Sequence, residues 1–255
     1  MQIKQSINDL LLFLNVKFVE WFPYYQQIRS DFGFSTENDQ KAAEMLSNML
    51  KRKAIDVSKI KNKIQGRNIL AIGAGPSLEK NIGFIKKNKK CIKIVADGAV
   101  EILLNSKIKP DIVVSDLDGN PKYLMMAEKL GAIMVIHAHG DNVQNLEKYV
   151  PKFRKLIGST QVMPTENVYN FGGFTDGDRS VFLAEEMRAK SITLVGMDLD
   201  SKPRKFSSKD QNLDIDVKIR KLKTAKSLLE MLGKQSKSKL INKSDTKIRG
   251  IKSQT

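Results

Sequence analysis

Asp116 and Asp118, in the stretch SDLDGN, stand two residues apart directly after an apolar run. Carboxylates at that spacing, flanked by turn residues, supply the hard oxygen ligands that Mg²⁺ prefers and leave places for water and phosphate. A solvated Asx-type turn would use the same letters. Asp97, in ADGA, ends another apolar run in the same way, and it tips the reading toward a metal site built from Asp97, Asp116 and Asp118. The two histidines, His137 and His139, lie in HAHGDN, where an extended backbone puts them on one face with Asp141. No third histidine is present to complete a zinc hydrolase set. These groups are therefore expected to face phosphate or the transferring group as donors or acid–base partners, the alternative being a hydrogen-bonded strand end.

Three further stretches carry chemistry. GAGPSL, Gly73 to Leu78, follows an apolar run and opens a helical one, so Gly73 and Gly75 permit close approach of the backbone to a phosphate. With Ser77 at the helix start and Asp97 22 residues beyond Gly75, the stretch partly imitates a dinucleotide fingerprint. Leu78 stands where the third glycine belongs, and Pro76 lacks a donor, so a plain strand-to-helix turn fits equally well. In NFGGFTDGDRSVFLAEEM, Thr175, Asp176, Asp178 and Arg179 gather at a helix start. There the arginine can hold phosphate and an aspartate a metal, or the acids can simply cap the helix. Asp198 and Asp200 of GMDLD suit a site and a strand end alike.

Elements must exist to position these groups. NILAIGAG, CIKIVADG, DIVVSDLDG, AIMVIHAHGD and SITLVGMDLD each read as a buried strand ending in glycine and polar residues, with helical stretches between them. Near-continuous apolar strands alternating with helices predict an α/β fold, a mostly parallel sheet with helices on both faces, whose ligands bind beyond the carboxyl ends of the strands. Residues 1–66 read as an N-terminal helical region, with NDLLLFLNVKFVEWF as an amphipathic helix and Ser35 or Thr36 capping the next. Residues 67–200 form the expected catalytic domain, and 201–255 a basic, partly helical, solvated tail. Trp21, Tyr24 and Tyr25 are expected to pack in the core or staple a helix.

Of the 44 basic and 28 acidic residues, 16 and 5 fall in 201–255, so the tail carries +11 of the net +16. No nucleic-acid motif accompanies that charge, which argues against a nucleic-acid partner. With no apolar run of about 18 residues, no membrane span is expected. A single cysteine, Cys91, excludes an internal disulfide framework, and a cytoplasmic protein is expected.

Taken in order, GAGPSLE, ADGA, PDIVVSDLDG, HAHGDN, GFTDGDRS and LVGMDLD resemble the archaeal 6-hydroxymethyl-7,8-dihydropterin diphosphokinase family, and FGFSTENDQKAAEML resembles its opening region. The DGA and SDLDG elements are also similar to the thiamine pyrophosphokinase catalytic domain. The resemblance implies transfer of a diphosphate from ATP to a reduced pterin, with release of AMP. It implies Mg²⁺ on Asp97, Asp116 and Asp118, a catalytic set of Asp116, Asp118, Asp141 and Arg179, and nucleotide contacts from Gly73, Gly75, Ser77, Asp97, Gly98, His137, His139, Thr175, Asp176 and Asp178. Asp141 or a histidine would accept the substrate proton. The GAGPSL to DGA region also looks like motility-associated glycosyltransferases, which would exchange ATP for a nucleotide-sugar. A homo-oligomer through the apolar N-terminal helices is a further expectation.

Overall fold

The computed structural model describes residues 20–200 and 215–254. Most of the stretch NDLLLFLNVKFVEWF lies outside the described residues; its end belongs to a helix over 20–32, α1. Trp21, Tyr25 and Ile28 recur at helical spacing on α1 and are buried, whereas Tyr24 is exposed. Helix α2, Thr36–Leu50, starts at Ser35, whose Oγ accepts from Asn38 N at 3.2 Å, and it packs against β4, β5 and β6. A short α3, Val57–Ile64, leads into the sheet.

Nine strands form that sheet: β1 (Asn68–Ile72), β2 (Ile92–Ala96), β3 (Ile112–Ser115), β4 (Ile133–Ala138), β5 (Leu156–Thr160), β6 (Val168–Tyr169), β7 (Ser191–Val195), β8 (Lys239–Asn242) and β9 (Lys252–Ser253). Their order is β6-β5-β4-β3-β2-β1-β7-β8-β9, and every pairing is parallel. Central strands bury both faces, as the continuous apolar runs demand; β3 is buried from end to end.

The path of the chain creates the site. From β1 it steps outward to β6, then returns to the other side of β1 and runs outward again through β7, β8 and β9. Right-handed crossovers place the helices α4 (Ser77–Lys80), α5 (Ile82–Lys87), α6 (Val100–Asn105), α7 (Pro121–Lys129) and α8 (Val143–Tyr149) on one face. The return passage runs the opposite way, so α9, Asp176–Glu186, covers the other face across β1, β2, β3 and β7. Connections diverge between β1 and β7, and a crevice opens there at the carboxyl ends of the strands.

The C-terminal stretch departs from the solvated tail that composition suggests. Helix α10, Ile215–Gln235, packs against α9 through buried Ala225, Leu228, Leu229 and Leu232, and β8 and β9 extend the sheet. Lysine-rich flanks conceal that three-and-four spacing from a reading by composition. One continuous buried core runs from Trp21 to Ile251. No helix among the described residues is long and apolar enough to cross a membrane.

Candidate active site

A cavity of about 390 Å³ occupies the crevice. The ends of β2 and β3 bring acids into it. Carboxylate oxygens of Asp97, Asp116, Asp118 and Asp176 all lie within 4.8 Å of one another. Asp97 is buried and fixed by the end of β3: Ser115 Oγ donates to its Oδ2 at 2.5 Å and Gly119 N at 3.3 Å. A Cβ on Gly119 would fall 1.7 Å from Asp97 Oδ1, so only glycine fits beside that carboxylate. Between the two aspartates Leu117 adopts φ +67° with its side chain buried, a conformation that non-glycine residues rarely accept and that marks an over-determined turn. Asp118 N donates to Asp116 Oδ1 at 3.2 Å, so the Asx-type turn and the acid cluster are one object.

Crowding shows in the protonation of these groups. Burial pushes the Asp97 carboxyl up to about 7, against the Ser115 hydroxyl, with Asp116 adding to the rise. Burial likewise raises Asp176 far above the usual carboxylate range, aided by the charges of Asp116, Asp97 and Asp118. Asp118 opens to the cleft, yet desolvation by the surrounding walls and the charge of Asp116 raise it, while Lys221 opposes the rise. Asp116 moves the other way: burial works to raise it, but His139 and the Asp118 group together prevail and hold it low. Three of these acids, Asp97, Asp118 and Asp176, hold protons that a divalent cation would displace, and the oxygens of all four are the donors Mg²⁺ takes.

The β4 end supplies both histidines. His139 Nδ1 accepts from Asp141 N at 3.3 Å, which leaves Nε2 to face Asp116 Oδ2 at 3.6 Å. The Asp141 side chain is 74% exposed and stands outside the acid cluster, 3.9 Å from Nδ1 of His139. His137 is buried against the cleft with Nδ1 3.1 Å from Ser159 Oγ. Arg179, buried on α9, donates from Nη2 to Gln161 Oε1 at 3.2 Å; Gln161 Nε2 donates to Asp39 Oδ2 at 2.7 Å, where Tyr25 Oη also donates at 2.9 Å. A polar chain thus ties α1 and α2 to the arginine in the cleft.

The glycine loop is engaged within the fold. Gly73 N donates to Val195 O and Gly75 N to Gly196 O, both at 2.8 Å. Cβ atoms at Gly73 and Gly75 would lie 2.7 Å from Gly196 O and 2.4 Å from Asp198 Oδ2, so β7 requires these glycines. At the start of α4, Ser77 N and Oγ donate to Asp198 Oδ2 and Oδ1 at 2.6 and 2.8 Å, filling the anion position with a carboxylate of the chain itself. Gly98 packs against Ala74 at the same wall. Asp178 serves as a cap, accepting from Phe174 N, Thr175 N and Thr175 Oγ1 at 2.6, 2.7 and 2.5 Å. Asp200 pairs with Lys226 of α10 at 2.7 Å.

Several wall residues escape a reading of the sequence. Lys218 and Lys221 of α10, Phe34 and Gln161 all line the cavity. For the lysines the signal is spacing alone: in VKIRK they stand three positions apart, on one helix face. Phe34 and Gln161 reach the cleft through tertiary packing, where the ring of Phe34 lies 6.2 Å from that of Phe174 in the GFTDGDRS stretch.

A family model described as 6-hydroxymethylpterin diphosphokinase MptE-like matches residues 40–204. The chain belongs to this family. Three curated relatives, each named 6-hydroxymethyl-7,8-dihydropterin pyrophosphokinase, agree. The protein of Methanocaldococcus jannaschii is 43% identical over 84% of this chain and 94% of its own length. That of Pyrococcus furiosus is 43% identical over 89% and 98%, and that of Methanothermobacter thermautotrophicus 37% over 83% and 93%. Among solved structures, a MAf glycosyltransferase from Magnetospirillum magneticum AMB-1 shares the fold with a TM-score of 0.55 at 17% identity, covering 87% of this chain and 38% of that one. The MptE-like sheet is therefore shared beyond the family, and that likeness concerns the fold alone.

Proposed function

We propose that the protein is a diphosphotransferase that moves a diphosphate from ATP to the hydroxymethyl group of 6-hydroxymethyl-7,8-dihydropterin and releases AMP, in the synthesis of a tetrahydromethanopterin- or folate-type coenzyme in the cytoplasm. The four-carboxylate cluster carries this reading, because the relatives' names imply a polyphosphate donor and an acid cluster repels such an anion unless a cation intervenes. Asp97, Asp116 and Asp118 would hold Mg²⁺, with Asp176 beside them. When bound, the ion neutralises triphosphate charge and stabilises charge on the departing AMP.

The protein's own groups supply the remaining work, which in phosphoryl transfer is mostly positioning and electrostatics. Arg179 donates to phosphate oxygens from a buried guanidinium, where a charge-assisted bond is strong. Thr175 and Asp178 hold the first turn of α9, and with it Asp176 and Arg179. His139 orients Asp116. Bare of side chains, Gly73, Gly75 and Gly98 give the nucleotide a wall to lie against, and Ser77 secures that wall through Asp198. The 67–200 segment carries the chemistry, and α10 closes the cleft with Lys218 and Lys221.

The test is AMP release from ATP with Mg²⁺ and 6-hydroxymethyl-7,8-dihydropterin, wild type against Asp116→Asn. AMP formation that requires the pterin and falls by about 10²-fold or more in Asp116→Asn is the expected result. AMP without pterin, or no AMP, overturns the assignment.

A further inference from the structure

Among the described residues, His137 Nε2 is the one buried side-chain nitrogen or oxygen without a hydrogen-bond partner. A buried polar atom left unsatisfied costs about 1–3 kcal/mol, so a fold that keeps one at the wall of its cleft is prepared for a ligand. The ring is held on every other side. Ser159 Oγ takes Nδ1 at 3.1 Å, and the His139 ring lies alongside at 5.8 Å between centroids, 29° from parallel. Asn142 Nδ2 donates both to His137 O and to Asp116 O, each at 2.7 Å, so one amide clamps the base of His137 to the strand end that carries the acids.

We propose that His137 is the catalytic base, its Nε2 accepting the proton of the acceptor hydroxyl as that oxygen attacks the β-phosphorus of ATP. The inference rests on the diphosphate-transfer reading above. Assigning the Nδ1 proton to the bond with Ser159 leaves the lone pair on Nε2, on a ring that lines the cavity. In the step, the O–H bond breaks and the proton passes to Nε2 while the oxygen bonds to the β-phosphorus. The bond from that phosphorus to the α,β-bridging oxygen breaks, its electron pair leaves with AMP, and Nε2 later returns the proton to solvent. Burial, then the charges of Arg179 and His139, hold the ring well below its ordinary value, so it is neutral at physiological pH. Competing bases are otherwise occupied. Asp141 is at the rim, His139 is bonded at Nδ1 and faces Asp116, and the four acids crowd one another.

His137→Ala and His137→Gln, assayed with Mg²⁺, ATP and the pterin, decide the matter. The expected result is a kcat lower by about 10²–10³-fold with each KM within about threefold, and at least tenfold recovery of His137→Ala by added imidazole. Thermal midpoint and Mg²⁺–ATP binding by calorimetry establish that each variant is folded; should the alanine variant not fold, the glutamine variant is read alone. A kcat within threefold of wild type, a loss confined to KM, or a folded His137→Ala that imidazole leaves unmoved overturns the proposal. Those outcomes differ from failure of the parent reading, in which the wild type itself makes no pterin-dependent AMP.

Discussion

At the ends of β1 and β7 the polar groups satisfy one another, whereas at the ends of β2, β3 and β4 they stand crowded or unmet. On the first side Asp198 takes the Ser77 amide and hydroxyl and Asp245 N, and the Gly73 and Gly75 amides bond to the end of β7 and the glycine that follows it. On the second, three carboxyls are raised by burial and by each other, and the His137 Nε2 has no partner. Both sides face one cavity. Glycine and a helix start, taken alone, thus identify a wall, while unmet charge identifies where a ligand completes the structure.

If that division holds, the largest effect belongs to Gly119→Ala. Its Cβ would overlap Asp97 and force the cluster apart, so AMP formation is expected to fall by about 10²-fold or more, with a stability loss of about 1–3 kcal/mol. Retention of activity in a steady-state assay would show that the acids need not meet. Next comes the response of stability to pH. Asp97 binds a proton in the fold up to about 7 that the unfolded chain has released by about 4, so stability is full below pH 4 and is lost as pH rises through 7. The loss is expected to reach about 4 kcal/mol at most, with Asp176 and Asp118 acting in the same sense and Asp116 in the opposite one. Saturating Mg²⁺ should reverse the slope, since the ion binds the deprotonated cluster. Urea midpoints from pH 5 to 8, in EDTA and in Mg²⁺, measure both; identical slopes would break the comparison.

Asp198→Asn tests the satisfied side. One carboxylate oxygen becomes an N–H donor facing donors at Ser77 and Asp245, which should cost about 3 kcal/mol of stability while the KM for ATP stays within about threefold. A large KM rise with unchanged stability would move the phosphate back to the helix start.

How much of this was legible beforehand follows from what each feature depends on. Asp97, Asp116, Asp118 and Asp176 were visible because each lies within three residues of a glycine at a strand end or helix start, a local pattern. So were the strands β1, β2, β3, β4 and β7, whose apolar runs are long and bounded. Strand β5, LIGST, was missed because glycine and two hydroxyls interrupt its pattern, and β6, β8 and β9 are too short or too polar to signal themselves. Asp198 could not be assigned because its partner, Ser77, is 121 residues away and meets it only across β1 and β7. Nor could Asp141 be separated from the histidines, since an alternating HAHGD places all three on one face until the chain turns after His139.

That turn yields the smallest and sharpest prediction. The 3₁₀ turn Gly140–Asn142 carries the Asp141 side chain out to solvent while its amide holds His139, so the residue contributes backbone to the site and a carboxylate to the surface. Asp141→Asn keeps the amide and removes only the charge. An exposed charge 3.9 Å from an imidazole changes little, typically less than about 1 kcal/mol. The kcat for pterin-dependent AMP formation should therefore stay within about twofold of wild type. A fall of tenfold or more would mean that the carboxylate swings inward when substrates bind, and the boundary between the crowded and the satisfied ends of the cleft would have to be redrawn to include it.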